Sequence, residues 1–147
     1  MFDISGLDDT VDETAGVNGG TKFTDVPPPD VLISAIRVWV DGENHVSGIQ
    51  MEYGGVWGKS HGGTRGKKFE VTLGGEEKLE EVDGSIGEKG IESLKFIGSK
   101  SDYGPYGGEV AESKFASAKP GCYVIYISGK VDNDRIDSLD FHYKCPI

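Results

Sequence analysis

Apolar and polar residues alternate along most of this chain with a period of two. In Ile136-Asp-Ser-Leu-Asp-Phe-His-Tyr-Lys144, Leu139, Phe141 and Tyr143 fall on one face and Asp140, His142 and Lys144 on the other, the pattern of a strand with one wet side. Leu32 to Val40 behaves alike, with Ile36, Val38 and Val40 set against Arg37 and Trp39. A turn begins at Asp41-Gly42, and Val46 to Tyr53 returns as its partner strand. Cys122 to Ser128 is rich in β-branched and aromatic residues, which suit a pleated, half-buried surface. Shorter runs at Phe69–Leu73, Leu79–Val82, Ile91–Ile97 and Lys114–Ala116 predict further strands. Gly16 to Phe23 reads as a glycine-rich turn entering a strand, and Asp25-Val-Pro-Pro-Pro-Asp30 excludes a helix or a central strand. Gly54 to Lys67 reads as a glycine-rich, basic loop holding Trp57 and His61, and Tyr103 to Gly108 as a bend. No stretch predicts a helix. Short strands at turn-punctuated intervals predict an all-β sandwich, barrel or prism. Three strand-turn-strand units, beginning at Ile36, Phe69 and Tyr123, echo one another in pattern and suggest threefold pseudo-symmetry.

The last two strands are joined by a polar loop, Gly129 to Arg135, with little to bury and much to offer a polar ligand. Antiparallel registry centred near Asp132 and Asn133 brings Cys122 opposite Cys145, within the separation a disulfide needs. These are the only two cysteines, and a bridge is favoured over two buried thiols. A loop of that size contributes ~3 kcal/mol in the chain-entropy model, and a disulfide points to an oxidising compartment.

Composition narrows the picture. A chain of 147 residues fits one domain with a real core, and 23 glycines without a collagen period mean many tight turns. The net charge of −10 argues against nucleic acid and anionic membrane surfaces, which need clustered Lys and Arg. No apolar run approaches the ~20 residues of a membrane helix. Met1 to Thr14 is acidic and aperiodic and reads as a flexible or loosely docked arm, with the domain proper over residues 15–147. The arm shows no basic n-region or apolar core of a signal peptide.

Catalytic and metal chemistry find little support. His45, His61 and His142 sit on different segments without metal-ligand spacing, and no serine occupies a nucleophile elbow. Asp137 with a second acid resembles a glycosidase pair, but a shallow loop does not exclude water. Asp132-Asn-Asp134 opens like a calcium loop, yet no glycine follows at the sixth position and no glutamate at the twelfth. A non-enzymatic protein without metal or cofactor is expected.

The order of motifs along the chain carries a resemblance. Gly19-Gly20-Thr-Lys-Phe23-Thr-Asp25 is followed by Ile33, Ile36 and Val38, then Gly48-Ile-Gln-Met-Glu-Tyr53 and His61-Gly62-Gly63. Val82-Asp-Gly84, Ile91-Glu-Ser-Leu-Lys-Phe96, Tyr103-Gly-Pro-Tyr-Gly107 and the hairpin with Asp134-Arg-Ile-Asp137 complete the series. From about Gly16 to Lys144 it resembles the jacalin-related lectins. The resemblance implies a type I β-prism, three four-stranded Greek-key sheets around a pseudo-threefold axis, and calcium-independent binding of a monosaccharide at one end.

A sugar is held by charge-assisted hydrogen bonds from a carboxylate, by backbone N–H groups and by an aromatic face. Carried over from the family, the carboxylate is Asp137, the amide donors are Asp134 and Arg135, and the turn glycine is Gly20. Asn133 replaces the leading glycine of the family's Gly-x-x-x-Asp motif; asparagine tolerates a left-handed backbone better than most residues. Arg135 is bulkier than the usual residue there and has the reach for a second sugar or an acidic group. Asn133, Tyr103 and Tyr106 are candidates for an extended site, as is Trp57. An uncleaved glycine turn, and Asp and Arg in place of flanking aromatics, favour the mannose/glucose branch of the family over the galactose branch. Expected partners are therefore mannose- or glucose-containing glycans and glycoproteins, with no nucleic acid and no membrane insertion. The protein is expected to be extracellular and a homo-oligomer. The competing reading is a β-prism that has lost sugar binding and serves as a protein-interaction or acidic mineral- or calcium-binding module, with Asp132, Asp134 and Asp137 a solvated acidic turn.

Overall fold

Every predicted alternation forms a strand, and the glycine-rich stretches between them supply the turns. The computed structural model describes residues 11–108 and 113–146. These hold twelve strands and no helix. Strands β1 (Val11–Gly16), β2 (Thr21–Thr24), β11 (Tyr123–Val131) and β12 (Ile136–Lys144) form one sheet in the order β1-β12-β11-β2. Strands β3 (Ile33–Val40), β4 (Val46–Tyr53), β5 (Val56–Gly62) and β6 (Lys67–Thr72) form a second in the order β5-β4-β3-β6. Strands β7 (Leu79–Gly87), β8 (Gly90–Gly98), β9 (Asp102–Gly107) and β10 (Ser113–Ala118) form the third in the order β10-β7-β8-β9. All pairings are antiparallel. Each sheet is a Greek key with an inner hairpin flanked by two outer strands, and the whole is the expected β-prism.

The alternating apolar positions meet on the prism axis. Ile36, Val38, Ile49, Met51, Val82, Leu94, Phe96 and Leu139 are fully buried there, drawn from all three sheets. The pseudo-symmetry is visible in the backbone. A Cβ at Gly16, Gly62 or Gly107 would meet the carbonyl oxygen of Asp137, Ser47 or Glu92 at 2.2, 2.4 and 2.3 Å. In each sheet, then, the connection between the outer strands is pressed onto the start of the inner hairpin's returning strand, at the same end of the prism.

Four expectations are corrected. The second of the three repeat units, from Phe69, straddles two sheets; the true third hairpin is β7–β8, closed by the two-residue turn Glu88-Lys89 between Gly87 and Gly90. The run from Gly54 is not a loop, because Val56 to Gly62 pairs with β4, and the Arg37 guanidinium lies 3.8 Å over the Trp57 ring. The Tyr103–Gly107 bend is strand β9, where Pro105 is tolerated because β9 is an edge. Strand β1 begins at Val11 and pairs with β12, so the expected start of the domain at residue 15 falls inside a strand. Met1 to Thr10 of the arm lie outside the described residues. The outer face of β12 is also drier than its alternation suggests, since Tyr126 stacks on His142 and buries it.

Cys122 and Cys145 are bonded, with Cα atoms 4.2 Å apart. They clamp the end of the β11–β12 hairpin away from its polar loop. Reduction, or Cys122→Ser with Cys145→Ser, is expected to lower unfolding free energy by about 3 kcal/mol. Denaturant titration with and without reductant measures it; an unchanged midpoint would contradict a stabilising role.

Candidate functional site

The β11–β12 hairpin places its polar loop at the glycine-rich end of the prism. Val131 pairs with Ile136, and the Asp132 N–H donates to the Arg135 carbonyl at 2.9 Å. Asp132, Asn133 and Asp134 form the exposed tip, whereas Ile136 is fully buried and anchors the return. Asp137 follows it and is 6% exposed, an unusual place for a carboxylate.

Two segments converge on Asp137, the glycine turn between β1 and β2 and the β7–β8 turn of the third sheet. The Val17 N–H donates to its carbonyl at 2.9 Å, stitching the first glycine turn to the hairpin. Gly20, at φ 83°, brings bare backbone against the carboxylate. A Cβ there would lie 2.8 Å from Asp137 Oδ1 and 3.0 Å from the Val131 nitrogen, so only glycine fits. From the third sheet, Gly90 approaches so closely that a Cβ would meet the Ile136 carbonyl at 2.3 Å and Asp137 Cα at 2.9 Å.

The electrostatics leave the site wanting partners. Asp137 Oδ1 is buried without a hydrogen-bond partner, and so are Nε and Nη2 of Arg135 on the same loop. Buried polar atoms are nearly always paired, so each such group asks for a function. Burial, then the Asp132 charge and its hydrogen bond, push the Asp137 carboxyl above its usual range, and the nearby Arg135 guanidinium pulls partly back. An unpaired acceptor and unpaired donors on one loop suit a hydroxyl-bearing ligand, because a hydroxyl both donates and accepts.

The predicted residues gather around one loop. Gly20 and Asp137 face each other. Asn133, Asp134 and Arg135 line an open recess of about 860 Å³ with Thr21, Ser60, His61 and Gly62. Asn133 does not use the left-handed region: the only non-glycine residues there, among those described, are Asp30 and Asn44. Tyr103 and Tyr106 are not on that recess. The Tyr103 hydroxyl donates to Glu77 at 2.8 Å, and the Tyr106 ring packs 5.0 Å from Phe69 and 6.4 Å from Phe96. Among the described residues no group of three or more His, Cys, Asp or Glu converges as a metal site.

Sequence reasoning missed two supports. One is the Glu88-Lys89 turn, whose flanking Gly87 and Gly90 were its only signal. The other is His61, which bonds to Asp25 and stands beside Gly62-Gly63; a Cβ at Gly63 would lie 3.0 Å from Asp134 Cα and 3.1 Å from the Asn133 carbonyl.

Three Greek-key sheets around one axis, with a glycine turn pressed onto a buried acid at one end, define a β-prism of the lectin type. The chain belongs to the jacalin-like lectin domain family, whose family model matches residues 12–142. Zymogen granule membrane protein 16 of Rattus norvegicus is 30% identical over 130 residues, 87% of this chain and 76% of that protein. Among solved structures, Calystegia sepium agglutinin superimposes with a TM-score of 0.80 at 22% identity, covering 92% of this chain and 95% of that one. A mannose-binding jacalin-related lectin from Ananas comosus gives 0.80 at 22% identity, covering 97% and 99%.

Proposed function

We propose that this protein is a non-enzymatic lectin that binds mannose- or glucose-type glycans without calcium. The observation that carries the proposal is the buried Asp137 carboxylate, its Oδ1 unpartnered and faced by the backbone of Gly20. Asp137 accepts from two sugar hydroxyls, the amides of Asp134 and Arg135 donate to the ring oxygen and a hydroxyl, and the Gly20 amide closes the site. Charge-assisted hydrogen bonds of this kind are the strong ones. The mannose-binding description of the Ananas comosus lectin supports the sugar class. The disulfide supports action in an oxidising, extracellular setting, and assembly into dimers or larger oligomers supplies avidity for multivalent glycans.

A glycan array probed in EDTA tests this. Retention on mannose- or glucose-terminated glycans is the expected result. Retention on galactose-type glycans alone overturns the specificity. A blank array from folded protein overturns the lectin function and favours the competing module that has lost sugar binding.

A further inference from the structure

Behind the sugar loop lies a buried polar chain that joins two sheets. Asp25, just beyond β2, is 8% exposed, and His61, near the end of β5, is 9% exposed. The Tyr53 hydroxyl donates to Asp25 Oδ2 at 2.6 Å, and His61 Nε2 lies 2.7 Å from Asp25 Oδ1. Burial, and then the Asp25 charge, hold the Tyr53 phenol above its ordinary range, so it stays a donor. The Phe23 ring stacks on the His61 imidazole at 3.7 Å and 15°. The Asp25 N–H also donates to the Ile127 carbonyl of β11 at 3.0 Å.

This chain touches both halves of the candidate site through the backbone. Phe23 and Asp25 fix the strand that leaves the Gly19-Gly20 turn. His61 fixes the start of the Gly62-Gly63 segment, which abuts the loop: a Cβ at Gly62 would lie 3.4 Å from the Arg135 carbonyl, and one at Gly63 would strike Asn133 and Asp134. Apolar packing alone tolerates sliding, whereas two short hydrogen bonds to one carboxylate fix direction and register.

We propose that Tyr53, Asp25, His61 and Phe23 act as positioning residues for the glycan site, holding the Gly62-Gly63 segment as a fixed backstop for the backbone of Asn133, Asp134 and Arg135. The proposal rests on the lectin reading for its ligand, and on geometry alone for its effect on the loop. None of the four is assigned a contact with the sugar.

The test compares His61→Leu, which removes the hydrogen bond, with His61→Gln, which keeps an N–H for Asp25. Val82→Ala, in the core of the third sheet, serves as a control for general destabilisation. Two quantities are read: affinity for methyl α-mannoside, and the backbone amide NMR positions of residues 133–135 in the ligand-free protein. His61→Leu is expected to shift those amides and weaken binding at least tenfold. His61→Gln should stay within threefold of the parent, and Val82→Ala should leave both readouts unchanged despite a lower Tm. Parental amide positions and affinity within twofold in His61→Leu would overturn the proposal, as would equal losses in Val82→Ala. If the parent binds no sugar, the lectin reading fails, and the amide positions still decide whether the backstop exists. Should His61→Leu not fold, Phe23→Leu, which removes only the ring stack, is judged by the same criteria.

Discussion

Replacing Asp137 by alanine is expected to cut affinity for mannose-type glycans at least a hundredfold while the fold survives. A hydrogen bond to a charged partner is worth about 1.5–3 kcal/mol, and Asp137 is assigned two of them. The residue sits at a turn-proximal position where its side chain fills no apolar core, so the loss falls on binding. Asp137→Asn sharpens the case. Burial and Asp132 raise the carboxyl of Asp137 above its ordinary value. Between the ordinary value and the raised one, the folded chain holds a proton that the unfolded chain has released. Ionisation of Asp137 therefore weakens the fold as pH rises through that window. Asp137→Asn removes the charge and is expected to melt no lower than the parent at neutral pH, while losing the sugar. By the same raised value, binding by the parent fades on acidification sooner than an ordinary aspartate would dictate. Calorimetric titration across pH, with melting curves for both variants, checks all three; undiminished binding by Asp137→Ala would remove the residue from the site.

The second large effect concerns stability, and comes from Glu77 in the connection between the second and third sheets. Its carboxylate is 2% exposed. It accepts from the N–H groups of Gly74, Lys100 and Ser101 at 3.0, 3.1 and 3.0 Å, and from the Tyr103 hydroxyl at 2.8 Å. Burial by itself would push its pKa up, but the four donors outweigh it and hold the group below its ordinary value. Glu77→Ala orphans three backbone donors and is expected to cost about 3 kcal/mol or more, at roughly 1–3 kcal/mol for each buried group left unsatisfied. The sign with pH follows from the lowered value. The stabilisation is fully present above the unfolded-state pKa and is lost as pH falls through the folded one. Denaturant midpoints for the parent should therefore drop on acidification, and those for Glu77→Ala should drop less. A variant within 1 kcal/mol of the parent would contradict the account.

Glu77 also shows where reading the chain alone stops. The period-two alternation around Leu139, Phe141 and Tyr143 is a local signal, and the structure buries those three side chains as the alternation requires. The cysteine pairing was legible for a similar reason, because both residues close one hairpin. The arrangement of three sheets was legible through the ordered motifs, since alternation alone left sandwich, barrel and prism open. Connections between sheets left weaker marks. Leu73 to Leu79 reads as a glycine turn between two short strands, while its Glu77 reaches three donors in a segment more than twenty residues away. The Tyr103 hydroxyl was available on paper to a ligand, and is spent on that glutamate. Asp137 and Gly20 were legible as a pair only by resemblance. Their approach is a matter of φ at Gly20 and of the third-sheet hairpin pressing from behind, neither of which is encoded in local alternation. The buried acceptor on Asp25 escaped notice because its two partners, Tyr53 and His61, come from another sheet.

The central claim is that a buried carboxylate at the end of this prism holds a sugar directly. Isothermal titration of methyl α-mannoside into the parent and Asp137→Ala, both in EDTA, tests it most directly. Saturable binding by the parent, unaffected by the chelator, and no measurable heat with Asp137→Ala are the expected results. Equal binding by both proteins, or binding that appears only when calcium is restored, would contradict it.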